Sequence, residues 1–447
     1  MSEAASRLPF SAKSRRTVEQ PISYLIQTAL HNPHLINLAA GLVDPRTLPV
    51  EQCEQITQRL FGDDARARAA LQYDTTLGLR TLRQELLAHL ARVEQVAEAE
   101  LGYSAEDILV TTGSQQVLYL VGDVLLDPGD IVIAANPSYF VYTGTLTSLG
   151  ATVIAAPMNE DGMDADAVEQ ILLRLQREGR LSRVKLIYCT SYFDNPTGLT
   201  LSLPRRRKLI ELARRFSTHH RIMIHEDAAY RELRYDGQPL PSIKSFDRDN
   251  RHVIISNTFS KPFAPGIKLG YSAMPADLLD AVVQQKGNHD FGSANVCQCI
   301  ALDALQSGMY QTHVQTLCQS YRAKRDSILQ SLSRHMPKHP ELSWTKPHGG
   351  LYVWLTLPAD IDTRRRSRMF QRCASAGVLY VPGDYCFVPD ERGEMPVNHL
   401  RLSFGQVAPE QIDAGIQRLA GVVAQELSDE QAPSASDTKS APLARRG

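Results

Sequence analysis

Hydrophobic positions recur along this chain in two alternating rhythms. Short, continuous, largely β-branched runs lie at Ile108–Thr111, Ile131–Ala135, Thr152–Ala156, Lys185–Cys189, Ile222–His225, His252–Ile255 and Leu269–Ala273. Runs of this kind read as strands buried on both faces, and longer stretches with helical spacing separate most of them. The alternation predicts an α/β fold, a mainly parallel seven-stranded sheet with helices on both faces. Arg80–Ala97 has the pattern of a long amphipathic helix, and Asn295 to about His335 reads as one long helix or two. A smaller α+β region follows, with strands at Gly350–Leu355 and His399–Phe404 and helices at Arg364–Ala376 and Gln411–Leu427. The expected organisation is a mobile arm (1–20), an N-terminal segment (21–50) with helical spacing from Ile22 to Leu30, a large domain (51–325), a small domain (326–427) and a disordered polar tail (428–447).

Composition narrows the class. Of 447 residues, 43% are hydrophobic and 22% charged, with a formal net charge of −1. Nothing in that balance draws the chain to nucleic acid or to an anionic membrane. No apolar run approaches the roughly 20 residues that span a bilayer. The first residues lack an apolar core behind their basic positions, so a secretory signal is not expected; an organelle transit peptide is the alternative. Seven cysteines is an odd count, and Cys297-Gln298-Cys299 lacks zinc-site spacing. Reduced thiols in a cytoplasmic enzyme are the expectation.

The chemistry concentrates at strand ends. Residues 257–271, NTFSKPFAPGIKLGY, follow the strand at His252–Ile255 and carry Thr258, Ser260, Lys261 and Lys268. A lysine delivered among hydroxyls beside a second cation suits an amine nucleophile next to a phosphate. Thr111-Thr112-Gly113-Ser114-Gln115 is a strand, a glycine turn and a helix start, whose bare N–H groups favour an anion. Asp194-Asn195-Pro196-Thr197-Gly198 puts polar groups just past another strand, where open α/β sheets bind ligands. His225-Glu226-Asp227-Ala228-Ala229-Tyr230 ends a further strand with acids and a phenol; adjacent strand residues point to opposite faces, so a metal site is not expected there. Taken singly, each has a plain structural reading: a surface lysine, a capped turn, a β-turn, a satisfied buried acid. No G-x-x-x-x-G-K-[ST] occurs and no G-x-G-x-x-G follows an early strand, which argues against the usual nucleotide folds. In order, the four strand ends offer an anion turn, an amide, an acid with a phenol, and a lysine, which is the set that pyridoxal 5′-phosphate (PLP) requires.

From about residue 20 to 425 the chain resembles the fold-type-I, class I/II PLP-dependent aminotransferases, and is most similar to the kynurenine/2-aminoadipate branch. The resemblance implies that Lys261 forms the Schiff base with PLP, that Asp227 pairs with the pyridine nitrogen, and that Asn195 and Tyr230 hydrogen-bond the ring oxygen. It further implies that Tyr139 stacks on the ring and that Ser114, Gln115, Thr258, Ser260 and Lys268 hold the phosphate. Tyr73 would reach the neighbouring subunit's phosphate, which makes the expected assembly a homodimer with shared active sites. Arg401, with its planar fork, would grip the substrate α-carboxylate, and Gly41 and the Pro347–Gly350 turn would line the mouth. Residues 21–50 would pack with the small domain. The implied reaction moves the amino group of an L-amino acid to a 2-oxo acid. A non-transaminating enzyme of the same fold (β/γ-lyase, cyclase or oxidase) is the alternative; a PLP-sensing transcription regulator would need a DNA-binding module ahead of residue 20.

The chain departs from that family at four places. Lys268 stands where an arginine is usual, keeping the charge and losing the fork. Asp194 replaces a glutamine, which would add an acid close to the cofactor. Ala228-Ala229 replaces a Pro and an aromatic, implying a roomier pocket. The loop Lys286–Gly292 is unusually polar; its His289 reads as a satisfied structural histidine, with a substrate contact as the alternative. Asp194, Glu226 and Asp290 together would favour a basic amino acid as substrate.

Overall fold

A computed structural model describes residues 8–18, 24, 27–28, 31–32, 34–390 and 392–431. Its large sheet is built from β1 (Ile108–Thr111), β2 (Ile131–Asn136), β3 (Thr152–Asn159), β4 (Val184–Thr190), β5 (Met223–Asp227), β6 (Val253–Thr258) and β7 (Gly270–Ala273). They lie in the order β1-β7-β6-β5-β4-β2-β3. All are parallel except β7, which runs against both β1 and β6. A two-residue strand, Gly162–Met163, folds back on β3 as an eighth member; it is too short to register as a hydrophobic period. Strands β1, β5 and β6 are buried along their whole length, as expected where helices cover both faces. Two apolar clusters, one per face, form that cover, around Ile133, Ile187 and Ile224 on one side and Val132, Leu186 and Ile254 on the other.

The chain passes from β2 outward to β3, then returns through β4 to β5 and β6 on the other side. Neighbouring strands β2 and β4 therefore lead away in opposite directions, and the crevice beyond their carboxyl ends is the place such sheets reserve for ligands. Tyr139 and Asn195 follow those two strands.

Helix α1 (Arg80–Glu94) stops three residues before the sequence pattern does, because Gln95 turns left-handed with φ 61°. Helices α2 (Ser114–Leu125), α3 (Phe140–Leu149) and α4 (Ala276–His289) flank the sheet near the site. The helical stretch after residue 295 is two helices, α5 (Asn295–Gln306) and α6 (Met309–His335), separated at Gly308 with φ 74°. Helix α6 packs on the last helix, α7 (Pro409–Gln431). Between them a four-stranded antiparallel sheet centres on β8 (Tyr352–Thr356) and β9 (His399–Ser403). The helix expected from Arg364 begins at Arg368, because Asp362 ties up Arg364 in a turn and Ser367 caps the helix. Ile36–Asn37 pairs in parallel with Val378–Leu379, which ties the segment before residue 50 to the C-terminal part of the chain.

Part of the arm expected to be mobile is held instead. Ala12–Arg16 forms a short helix capped by Ser11. Lys13 bonds Tyr119 at 2.6 Å and Asp123 at 2.9 Å on α2, and Arg16 reaches the Ser148 carbonyl on α3. Most of the helix expected over Ile22–Leu30, and the tail from residue 432, lie outside the described residues. Residues 428–431, assigned to the disordered tail by composition, continue α7. No helix among the described residues is long and apolar enough to cross a membrane.

Candidate active site

The turn between β1 and α2 is the most constrained part of the crevice. Gly113 is the N-cap of α2 and offers no side chain, so the first N–H groups of the helix have no capping oxygen. The turn is fixed from below by β7: a Cβ on Gly270 would lie 2.5 Å from the Ser114 nitrogen. Only glycine lets that strand come so close. From the end of β6, Ser260 N–H donates to Thr258 Oγ1 at 3.1 Å, folding the Thr258–Ser260 corner toward the turn. Ser114, Gln115, Thr258, Ser260 and Lys268 all line a cavity of about 180 Å³. Lys268 enters from a left-handed residue with φ 50°.

The same cavity is lined by Tyr139, Asn195, Asp227, Tyr230 and Lys261. Lys261 Nζ donates to the Gly41 carbonyl at 2.8 Å. Asp227 closes β5 and accepts from Tyr188 Oη at 3.2 Å and from the Ala229 N–H at 3.1 Å. Burial nevertheless pushes its carboxyl up to about 6, so a cation opposite it would relieve the cost of ionisation. Its neighbour Glu226 points the other way. There it accepts from Ser191 Oγ at 2.7 Å and from two backbone N–H groups at 3.0 Å, with Arg206 at 3.8 Å. His225 shares a bond with Ser256, and burial pulls its imidazole down to about 3. The three adjacent side chains thus serve three different surroundings.

Beyond Asn195 lies a cationic group. Arg401, on β9, is only 2% exposed. Its Nη1 donates to Asn195 Oδ1 at 2.7 Å, its Nη2 to the Ala39 carbonyl at 2.9 Å, and its Nε is buried with no partner. The guanidinium lies 4.3 Å from the centre of the Tyr352 ring, and Tyr352 Oη is 3.0 Å from Tyr230 Oη. A buried guanidinium carrying an unpaired N–H is suited to a planar carboxylate. Because Asn195 turns its oxygen to Arg401, its NH₂ is left for a ligand.

Several sequence expectations need correction. Asp194 does not line the cavity; its Oδ2 accepts from Thr197 N–H at 3.1 Å and Thr197 Oγ1 at 2.7 Å, bracing the turn that carries Asn195. Asp290 is engaged with Lys286 and Gln116, each at 2.6 Å, and Glu226 with the partners given above. The three acids do not converge, and each already has donors, so they form no subsite for a basic side chain. Tyr73, expected to serve a neighbouring subunit rather than this cavity, is 83% exposed and packs edge-on to Phe291 at 5.6 Å. His289 needs no correction: its Nδ1 lies 3.2 Å from Gln116 Nε2, the structural contact expected of it. Sequence patterning does not single out Tyr188, Thr190 or Tyr352. Tyr188 and Thr190 share a face of β4 with period two, and Tyr352 opens the strand after the Gly349-Gly350 turn; those are the signals that could find them.

The donor set fits PLP. Bare helix N–H groups, hydroxyls and Lys268 suit a phosphate dianion, a buried carboxylate suits a protonated pyridine, and an amine lies between them.

The family model for aminotransferase class I and II matches residues 33–419. Aromatic-amino-acid aminotransferase 1 of Thermococcus litoralis is 36% identical over 394 residues, covering 88% of this chain and 89% of its own. A multiple substrate aminotransferase from Thermococcus profundus superposes with a TM-score of 0.85 at 34% identity, over 94% of this chain and 98% of that one. The kynurenine aminotransferase of Pyrococcus horikoshii, solved with PMP and kynurenine, gives a TM-score of 0.84 at 32% identity over 94% and 98%.

Proposed function

The chain belongs to the class I and II aminotransferases and is a PLP-dependent enzyme of amino-group transfer; we propose that the Lys261 cavity carries out that transfer, from an L-amino acid to a 2-oxo acid. One observation carries this reading. A lysine amine, a buried carboxylate and an anion turn line a single cavity, with a buried guanidinium one hydrogen bond away through Asn195.

When bound, PLP supplies an aldehyde that condenses with amines and a ring that takes up electron density from the substrate. The chain does the rest. Ser114, Gln115, Thr258, Ser260 and Lys268 hold the phosphate. Asp227, kept in place by Tyr188 and the Ala229 N–H, holds a proton at the pyridine nitrogen. Asn195 NH₂ and Tyr230 Oη donate to the ring oxygen, and the Tyr139 ring covers the pyridine face. Arg401 binds the substrate carboxylate with its free Nε–H and the outer edges of its fork, which orients the substrate Cα toward Lys261. With PLP bound, Lys261 Nζ would take the Cα proton as general base and would give it up to the carbon that the aldehyde supplies.

The relatives named for aromatic amino acids and kynurenine support large, planar side chains among the donors. The assembly we propose is a cytoplasmic homodimer in which Tyr73 completes the neighbour's phosphate site. Exposed Leu71, Tyr73 and Phe291 on one part of the surface support such a contact. The seven cysteines are all free thiols, in keeping with a reducing compartment.

The test is a single-substrate incubation of PLP-loaded enzyme. Transamination releases one equivalent of 2-oxo acid per site and no ammonia, and turnover resumes only when a second 2-oxo acid is added. Sustained release of ammonia without an acceptor would overturn the reading in favour of a lyase or oxidase.

A further inference from the structure

The polar loop at the end of α4 reaches the phosphate turn from behind. Lys286, 0% exposed, donates from Nζ to Asp290 Oδ1 at 2.6 Å. Asp290 Oδ2 accepts from Gln116 Nε2 at 2.6 Å, and Gln116 Oε1 accepts the Thr112 N–H at 2.8 Å. His289 Nδ1, 3.2 Å from the same Nε2, takes its second N–H. Thr112 and Gly113 are themselves part of the cavity wall.

We propose that Lys286, Asp290 and Gln116 form a positioning relay that sets the phosphate-binding turn from outside the cavity; this rests on the reading of that turn as the PLP phosphate site. The polarity of the chain is what makes it work. An ionised carboxylate only accepts, so Asp290 compels Gln116 to present its NH₂, and Gln116 has only its oxygen left for Thr112. Lys286, with no water to turn to, holds the carboxylate in place. The Thr112 N–H is thereby consumed behind the turn, the Gly113 N–H donates to the Thr111 carbonyl at 2.9 Å, and the N–H groups of Ser114 and Gln115, which line the cavity, are the ones left for an anion. None of the three residues touches the cofactor.

Exchanging amide and acid tests the relay. In Asp290→Asn, Lys286 claims the new amide oxygen, the new NH₂ faces the Gln116 NH₂, and Gln116 can satisfy it only by turning away from Thr112. Charge alone predicts the opposite effect, since removing an anion near a phosphate site should tighten phosphate binding. In Gln116→Glu, two carboxylates face one another. In the double exchange, Gln116→Glu with Asp290→Asn, the chain is restored: the lysine donates to the new amide, the amide to the new carboxylate, and the carboxylate accepts the Thr112 N–H.

The readout is equilibrium binding of PLP and of pyridoxal, which lacks the phosphate, to the full-length protein stripped of cofactor. Each single variant should bind PLP about tenfold to a hundredfold more weakly while pyridoxal affinity stays within about twofold. The double exchange should recover most of the loss. The two single variants answer independently, so failure of one to fold leaves the other decisive. Wild-type-like or tighter PLP binding by Asp290→Asn, equal weakening for both ligands, or losses that add in the double exchange would each overturn the relay. Wild-type protein binding PLP no better than pyridoxal would instead overturn the phosphate site, and the relay with it.

Discussion

The two ends of the proposed site, the phosphate turn and the Arg401 cluster beyond Asn195, are built in opposite ways. The phosphate end comes from the tips of adjacent strands β1, β7 and β6, where Ser114, Ser260 and Lys268 lie within a few residues of a strand and backbone N–H groups do much of the work. The proposed carboxylate end is gathered from four distant places: Ala39 and Gly41 just after Ile36–Asn37, Asn195 after β4, Tyr352 on β8 and Arg401 on β9. A strand tip is a fixed point, so the first end is rigid with the sheet. The second depends on how the small domain and the N-terminal segment seat against the large one. Binding of a constant ligand is thus assigned to the rigid part and recognition of a variable one to the assembled part, which is also where evolution can alter specificity without disturbing the cofactor.

Lys261 stands where the two ends meet, bonded across the gap to Gly41. Lys261→Ala should therefore have the largest effect, lowering kcat by about 10⁴-fold or more, since both its covalent role and its proton transfer are lost. Steady-state assay of either half-reaction measures this. A variant retaining a tenth of wild-type rate would remove Lys261 from the chemistry.

Arg401→Lys separates the ends. It keeps the charge and loses the fork, along with at least one of the bonds to Asn195 and Ala39. At roughly 1.5–3 kcal/mol for a hydrogen bond to a charged group, kcat/KM for amino acid and oxo acid alike should fall about 10- to 150-fold. PLP affinity should change little, because no phosphate contact is touched. Equal losses in PLP binding and in kcat/KM would mean that the two ends are one mechanical unit. Tyr352→Phe sharpens the same division at smaller scale. It removes the hydroxyl partner of Tyr230 and keeps the ring against Arg401, so about 3- to 10-fold in kcat/KM is expected, as for one hydrogen bond of about 0.5–1.5 kcal/mol. A loss matching that of Arg401→Lys would place Tyr352 among the groups that carry the chemistry.

This division also explains what could be read from the sequence. The seven long strands and the residues at their tips were legible, because a run of β-branched residues followed by Gly-Ser, Asn-Pro or Ser-Lys is a local signal. The family resemblance supplied Arg401, but nothing local distinguishes it from an edge-strand cation. Tyr352 was invisible for a related reason: its role depends on Tyr230, 122 positions away. The supposed acidic subsite failed on geometry, since Asp194, Glu226 and Asp290 face separate partners that no spacing rule could assign. The pinned helix at Ala12–Arg16 carries no local signal, because one alanine and four polar residues show no amphipathic period, and what holds it are long-range contacts from Lys13 and Arg16.

Asp194 belongs to neither end, and so its replacement should leave both intact. It lies fully inside the protein, and burial pushes its carboxyl up to about 7, with Asp227 adding to the rise and the Thr197 donors opposing it. A folded-state value above the unfolded one means that the native protein holds this proton more tightly. The resulting stability is complete below the unfolded pKa of 3.8 and is lost as pH rises through about 7. Asp194→Asn has no proton to lose, and its side-chain oxygen can still accept from Thr197. Stripped of cofactor, the variant should therefore melt close to wild type near pH 5 and above it by a few degrees at pH 8, where the wild type carries a buried charge. Each pH unit between the two pKa values is worth about 1.4 kcal/mol. The difference should widen between those limits and level off beyond pH 7. A gap that stays constant with pH, or that favours the wild type at pH 8, would show that Asp194 is ionised at little cost and that its charge is matched by something other than Thr197.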